Sequence, residues 1–139
     1  MVAISKEYNG FWRFLDSHKV EELVEKLKSR MKWMGYTNAY AFLKYVGLEC
    51  VKPDLNVIRV LFRLGFIKNT KNNPQTYAQI QIIGKKIAKA NKIRMTVVDF
   101  TLYMYGAGEK PFVKYSVCGK VARCDECPAK EFCKYIQLT

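Results

Sequence analysis

The sequence predicts an all-α protein, and three observations carry that prediction. Apolar residues recur at helical spacing over most of the chain, glycines and prolines punctuate those stretches at intervals suited to short helices, and no segment shows sustained two-residue alternation. Two short β-branched clusters, Val51 and Val97-Val98, fit helix or loop better than strand.

The elements follow in order. An aromatic segment, Phe11-Trp12-Arg13-Phe14-Leu15, ends near Ser17. Ser17 is placed to cap a helix over about 18–31, with Val20, Leu23, Val24 and Leu27 on one stripe. Gly35 interrupts that pattern, and a second helix is expected from Thr37 to Tyr45, stopped by Gly47. Lys52-Pro53 forces an extended turn, because a residue before proline avoids helical dihedrals. Asp54 then opens a helix from Leu55 to Leu64, with Val57, Val60, Leu61 and Leu64 inward and Gly65 as its stop. The polar loop 68–73 ends in Asn73-Pro74, a cap followed by a first-turn proline, which starts a helix to about Asn91 carrying Tyr77, Ile80, Ile83, Ile87 and Ala88. Thr96-x-x-Asp99 resembles a capping box for a last helix ending at Gly106. A loop over 106–115 leads into a cysteine run. The expected division is a helical domain over 1–115 and a cysteine loop over 116–139.

Composition limits the function classes. Of 139 residues, 24 are Lys or Arg and 12 are Asp or Glu, a formal net charge of +12. Such an excess suits a nucleic-acid phosphate backbone, or else a solvated surface or an anionic membrane face. No apolar run is long enough to span a bilayer and no signal peptide precedes the first charges, so the expectation is an intracellular protein of cytoplasm, nucleoid or nucleus with no membrane partner. Five cysteines fit one four-thiol site plus a separate Cys50 better than a disulfide framework.

Those four thiols are Cys118, Cys124, Cys127 and Cys133, in the pattern C-x5-C-x2-C-x5-C. Thiolates are soft ligands for zinc or an iron–sulfur cluster. A structural zinc site normally uses two close C-x2-C-type pairs, whereas this run has one, flanked by wider spans that suit a cubane. A 4Fe–4S cluster is therefore the first expectation, with zinc or unliganded thiols as alternatives. Lys120, Arg123, Lys130 and Lys134 lie among the cysteines, where they either face phosphates or compensate thiolate charge.

The run is similar to the C-terminal iron–sulfur loop of the endonuclease III branch of helix-hairpin-helix DNA glycosylases, C-x6-C-x2-C-x5-C, with the first interval one residue shorter. Upstream, the stretch from Val51 to Gly65 resembles that family's V-D-T-H-V-x-R-V-x-x-R-L-G signature. The resemblance puts the family's essential aspartate on Asp54, places Asn56 where a histidine is usual, and puts basic helix positions on Arg59 and Arg63. Read from the residues alone, Asp54 is an ordinary helix N-cap; one oxygen can cap while the other stays available. The stretch from Lys32 to Leu43 occupies the place of the hairpin, L-P-G-V-G-R-K-T-A, and keeps only Gly35 of its glycines. It also resembles the K-F-x-G-x-T-x-x-Y-x-F-x-Q stretch of 3-methyladenine glycosylase I.

The resemblance implies a base-excision glycosylase fold with a degenerate hairpin at about 31–46, acting on damaged or mismatched bases in double-stranded DNA. Lys32, Gly35, Thr37, Lys52, Arg59, Lys120 and Arg123 are its implied DNA contacts. The lysine that makes some members lyases falls here on Tyr36 or Thr37, neither an amine, so attack by water without lyase activity is expected. Tyr36 at this place resembles thymine-mismatch members, which implies a catalytic-site contact; read as a residue it is first a packed aromatic, and Trp33, Tyr40 and Tyr45, which could stack on a flipped base, are at helical spacing more often core. Asp99 reads as a helix cap and His18 carries no assigned role. Members of the family have a longer stretch before the hairpin, so a homo-oligomer or a partner chain that supplies a missing half-barrel is expected. A non-catalytic iron–sulfur DNA-binding protein or subunit is the alternative.

Overall fold

The computed structural model describes residues 10–107 and 116–137. The helices are α1 (Phe11–Asp16), α2 (Val20–Arg30), α3 (Tyr36–Tyr45), α4 (Leu55–Leu64), α5 (Pro74–Asn91), α6 (Met95–Gly106) and the short α7 (Lys134–Gln137), with 3-10 turns at Cys124–Glu126 and Lys130–Phe132. The all-α expectation holds. Among the described residues the only β feature is an isolated antiparallel bridge between Cys118 and Ala122. Most of the expected 106–115 loop lies outside the described residues.

The chain forms two compact units, Met1–Leu48 and Glu49–Thr139, so the division falls after α3 and the cysteine loop belongs with the larger unit. In the first unit α2 packs on α3. Leu23, Val24 and Leu27 are buried on α2 and Ala39, Tyr40 and Leu43 on α3, which is the spacing the sequence displays. Phe11 sets its ring edge-on to Phe42 at 5.9 Å between centroids. Ser17 does not cap α2. It closes α1, its hydroxyl donating to the Phe14 carbonyl at 3.1 Å, and α2 begins three residues later after Lys19. His18 joins the same helix end, with Nδ1 3.0 Å from the Phe14 oxygen.

The turn between α2 and α3 holds a left-handed residue that is not glycine. Trp33 has φ of 69°, and its side chain is 96 % exposed. A bulky residue in that region costs about 1–3 kcal/mol of local strain. Gly35, the expected breaker, instead has ordinary extended backbone and is the N-cap of α3.

In the second unit α6 packs between α4 and α5, and α7 packs on α4. The bounds of α4 match the prediction because both of its ends are encoded locally. Asp54 caps the start, and Gly65, at φ of 85°, closes the end in the left-handed region. The aliphatic stem of Lys134 lies over Gly65, where an added Cβ would overlap it. Asn73 caps α5 through Oδ1 to the Thr76 N–H at 2.9 Å, with Pro74 in the first turn, again as predicted. Close approach of α6 to α4 depends on Gly106, where a Cβ would stand 2.7 Å from Val60 Cγ2 and 2.9 Å from the Asn56 carbonyl oxygen.

The Thr96-x-x-Asp99 capping box does not form. Asp99 is buried and turned to the chain before α4, and Glu49 takes over the capping of α6 from 46 residues away. One Glu49 oxygen accepts the Met95 N–H at 2.7 Å, and the other accepts from Arg94 Nε, also at 2.7 Å. Burial pushes the Glu49 carboxyl up, but these donors outweigh it and hold it below its ordinary value of 4.5. A depressed carboxylate stabilises the fold above the unfolded value and loses that contribution as pH falls through the folded one. The stability difference between the native chain and Glu49→Gln should therefore be present at neutral pH and close as pH drops below 4.5. Urea titrations across that range measure it. The exposed setting keeps the effect small.

Candidate carboxylate and thiol sites on one helix

Helix α4 bears on both sites singled out in the sequence: Asp54 caps its start, and Arg63 near its end holds the cysteine loop. At its N-terminus Asp54 Oδ1 accepts the N–H of Asn56 at 3.0 Å and of Val57 at 3.1 Å, satisfying two of the helix's unpaired donors. Its Oδ2 faces the Lys52 ammonium at 3.5 Å, and the carboxylate side chain is 15 % exposed. The cap reading and the availability of a second oxygen therefore hold together.

What fixes this carboxylate is the chain just before it. Val51 is buried, and Gln81 on α5 bonds both of its backbone groups. The Gln81 Oε1 accepts the Val51 N–H at 2.9 Å, and its Nε2 donates to the Val51 carbonyl at 2.7 Å. The next residue, Lys52, donates its N–H to Asp99 Oδ1 on α6 at 2.6 Å. Pro53 is buried and leads directly into Asp54. Gly84 makes room on α5, since a Cβ there would sit 2.5 Å from Val51 Cγ2. A two-pronged amide and a buried carboxylate thus replace a strand partner for this segment. Neither role is visible in the sequence, because each partner lies 30 or more residues away.

Arg59, one turn along α4, donates through one nitrogen to Asn56 Oδ1 at 3.2 Å and to the Gly106 carbonyl at 3.1 Å. Its guanidinium is committed to closing the end of α6 onto α4.

At the other end of α4, Arg63 grips the cysteine loop. One of its nitrogens donates to the carbonyls of Cys118 at 3.3 Å and Gly119 at 2.6 Å and lies 3.7 Å from Cys118 Sγ; the other donates to the Lys120 carbonyl at 3.2 Å. The guanidinium also stands 4.8 Å from the ring centroid of Tyr135 on α7. The loop is tied to α6 as well, through the Cys118 N–H and the Ser116 hydroxyl, both on the Tyr105 carbonyl at 2.9 and 3.2 Å. Arg123 works inside the loop, donating to the Ser116 carbonyl at 2.9 Å and pairing with Glu126 at 3.0 Å. Lys130 pairs with Asp125 at 3.5 Å, while Lys120 is exposed.

Cys118 and Cys133 are buried, and Cys124 and Cys127 are partly exposed. Burial pushes the Cys118 thiol up, Arg63 opposes that, and Cys133 and Cys127 are close enough to push it further up. Cys133 Sγ donates to the Arg63 carbonyl at 3.4 Å, and Cys127 Sγ stands 2.8 Å from the Tyr105 hydroxyl. Burial, with Cys127 and Cys118 nearby, pushes the Tyr105 hydroxyl well up, so Tyr105 is the donor whenever Cys127 is a thiolate. Donor type suits a thiophilic metal, and Tyr105 and Arg63 supply the outer donors that such sulfurs use. The thiols are turned to these partners rather than closed on a common centre: among the described residues no group of three or more His, Cys, Asp or Glu is set to hold an ion.

The remaining sequence candidates lie in the first unit. Tyr36 opens α3, with the Lys28 ammonium 3.1 Å from its ring centroid. Thr37 follows in the same first turn, and Lys32 and Gly35 are exposed in the turn before it. Tyr40 is buried, as a packed aromatic would be, whereas Trp33 and Tyr45 are exposed. No helix among the described residues is long and apolar enough to cross a membrane. No family model, curated protein or solved structure matches the chain.

Proposed function

We propose that this chain is a DNA-binding iron–sulfur protein of the base-excision type, a monofunctional N-glycosylase whose carboxylate is Asp54. The observation that supports it most is the division of the two Asp54 oxygens: Oδ1 is spent on the helix cap, and Oδ2, in a side chain only 15 % exposed, is held against the Lys52 ammonium at 3.5 Å. A carboxylate oriented in that way cannot swing aside. As a glycosidic bond lengthens, positive charge grows on the deoxyribose, and a fixed anion stabilises that charge while orienting the water that attacks the sugar carbon. Lys52 holds Oδ2 in the resting site and is placed to move to a neighbouring phosphate when DNA arrives.

Cys118, Cys124, Cys127 and Cys133 would hold the 4Fe–4S cluster, which supplies a cross-link and a one-electron centre; zinc would supply the cross-link alone. Anaerobic absorption separates the two, brown for iron–sulfur and colourless for zinc. The exposed Lys120, and Lys32 and Thr37 beside Gly35, are the proposed phosphate contacts.

Asp54→Asn tests catalysis cleanly, because asparagine caps a helix as well as aspartate does. Stability should change by less than about 1 kcal/mol, while base release from duplexes carrying alkylated, oxidised or mismatched bases should fall by roughly 100-fold or more. Equal rates for the two proteins on every lesion would remove Asp54 from the chemistry.

A second reading, a non-catalytic DNA-binding protein or a subunit completing a partner's barrel, is favoured by the inward commitment of Arg59 and Arg123 and by the Lys52–Asp54 contact. Duplex binding without base release on any lesion would select it, and size exclusion with and without DNA would show whether a homo-oligomer or partner is needed.

A further inference from the structure

We infer that Trp33 is a stacking platform for an unpaired nucleobase, carried at the tip of the α2–α3 turn. An indole is the side chain with the most to gain from burial, yet Trp33 is 96 % exposed. Its backbone is in the left-handed region at φ of 69°, where glycine or asparagine is the ordinary occupant. An unburied ring on a strained backbone adds little to the stability of the fold, which points to a use for the ring outside it. Basic residues surround it in sequence: Arg30 ends α2, Lys32 is exposed immediately before Trp33, and Lys28, one turn back on α2, has its ammonium on the Tyr36 ring and 3.5 Å from Glu25. A chain of charge +12 that presents an aromatic face among cations has the two parts of a single-strand site, a phosphate attractant and a π-surface. This inference rests on the nucleic-acid part of the proposed function but not on Asp54 or on the cysteines.

The strain supplies the control. Trp33→Gly removes the ring and relaxes the backbone, so a packing residue would destabilise the fold when lost, whereas this variant should melt at the same temperature or higher. Two tryptophans are present, and Trp12, itself 66 % exposed, can be replaced by phenylalanine so that Trp33 alone reports. In Trp12→Phe, addition of oligodeoxythymidylate, or of a duplex with one unpaired thymine, should quench the emission, with weaker quenching by the fully paired duplex. Trp33→Gly should bind both unpaired probes roughly tenfold or more weakly, with an unchanged salt slope because no charge is removed. Binding to those probes with neither quenching nor weakening would overturn the stacking role and leave the DNA-binding proposal standing. No binding to any DNA probe would overturn both. A spectral shift seen only with phosphatidylserine-containing vesicles would also overturn it, assigning the indole to a membrane surface.

Discussion

Replacing Arg63 by alanine is expected to release the cysteine loop and, with it, any metal bound at the proposed cluster site. One guanidinium reaches three successive carbonyls, from Cys118 to Lys120, and the Cys118 sulfur, while standing against Tyr135. Hydrogen bonds from a charged donor contribute about 1.5–3 kcal/mol each, but side-chain entropy returned and the partly exposed setting reduce the sum, so a loss of about 2–4 kcal/mol is expected. Lysine should not rescue it, since a point charge cannot span carbonyls that a planar fork bridges. Metal content after purification, urea midpoints and the rate of proteolytic cutting within 116–133 give three readouts. Native metal content together with native proteolytic resistance in Arg63→Ala would show that the loop holds itself without α4.

The second large effect is expected from Gln81→Met. The substitution keeps the length and apolar volume of the side chain but leaves the Val51 N–H and carbonyl with no amide to meet them. Both bonds are buried, and each stranded backbone group costs about 1–3 kcal/mol, giving about 2–6 kcal/mol in all. That is a large share of a domain stability of about 5–15 kcal/mol. The damage should spread to the Asp54 site: amide exchange at Lys52, Asn56 and Val57 should speed up more than exchange in the middle of α5. A urea midpoint within error of the native one would mean that water replaces the amide at Val51, and that Asp54 is fixed by its own cap alone.

These two residues also mark where the sequence stopped being legible. Helix ends whose signals are adjacent in the chain were readable: Asp54 before α4, Gly65 after it, Asn73-Pro74 before α5. Ends whose partners are remote were not. Ser17 looked like the cap of α2 but its hydroxyl turned back to α1, and Thr96-x-x-Asp99 looked like a capping box while Asp99 was drawn to Lys52 and Glu49 capped α6 instead. The same division governs the candidate sites. Asp54 and the four cysteines stand out as residue types at telling spacings. Gln81, Asp99 and the grip of Arg63 do not, because a hydrogen bond between residues 30 to 57 positions apart leaves no local pattern. Arg63 was visible only as a basic helix position, and nothing in its neighbours says that it faces the loop.

The way the loop is tied down has a consequence for how the protein is made. Its first cysteine is anchored by Tyr105 and Arg63, and its interior by Arg123, through bonds to main-chain oxygens that involve no ligand. The scaffold can therefore finish folding without a ligand in the loop. Were the proposed cluster bound there, chains made under iron scarcity would accumulate as a folded, receptive pool rather than be lost to degradation, and loading would become a late stage of maturation that supply controls.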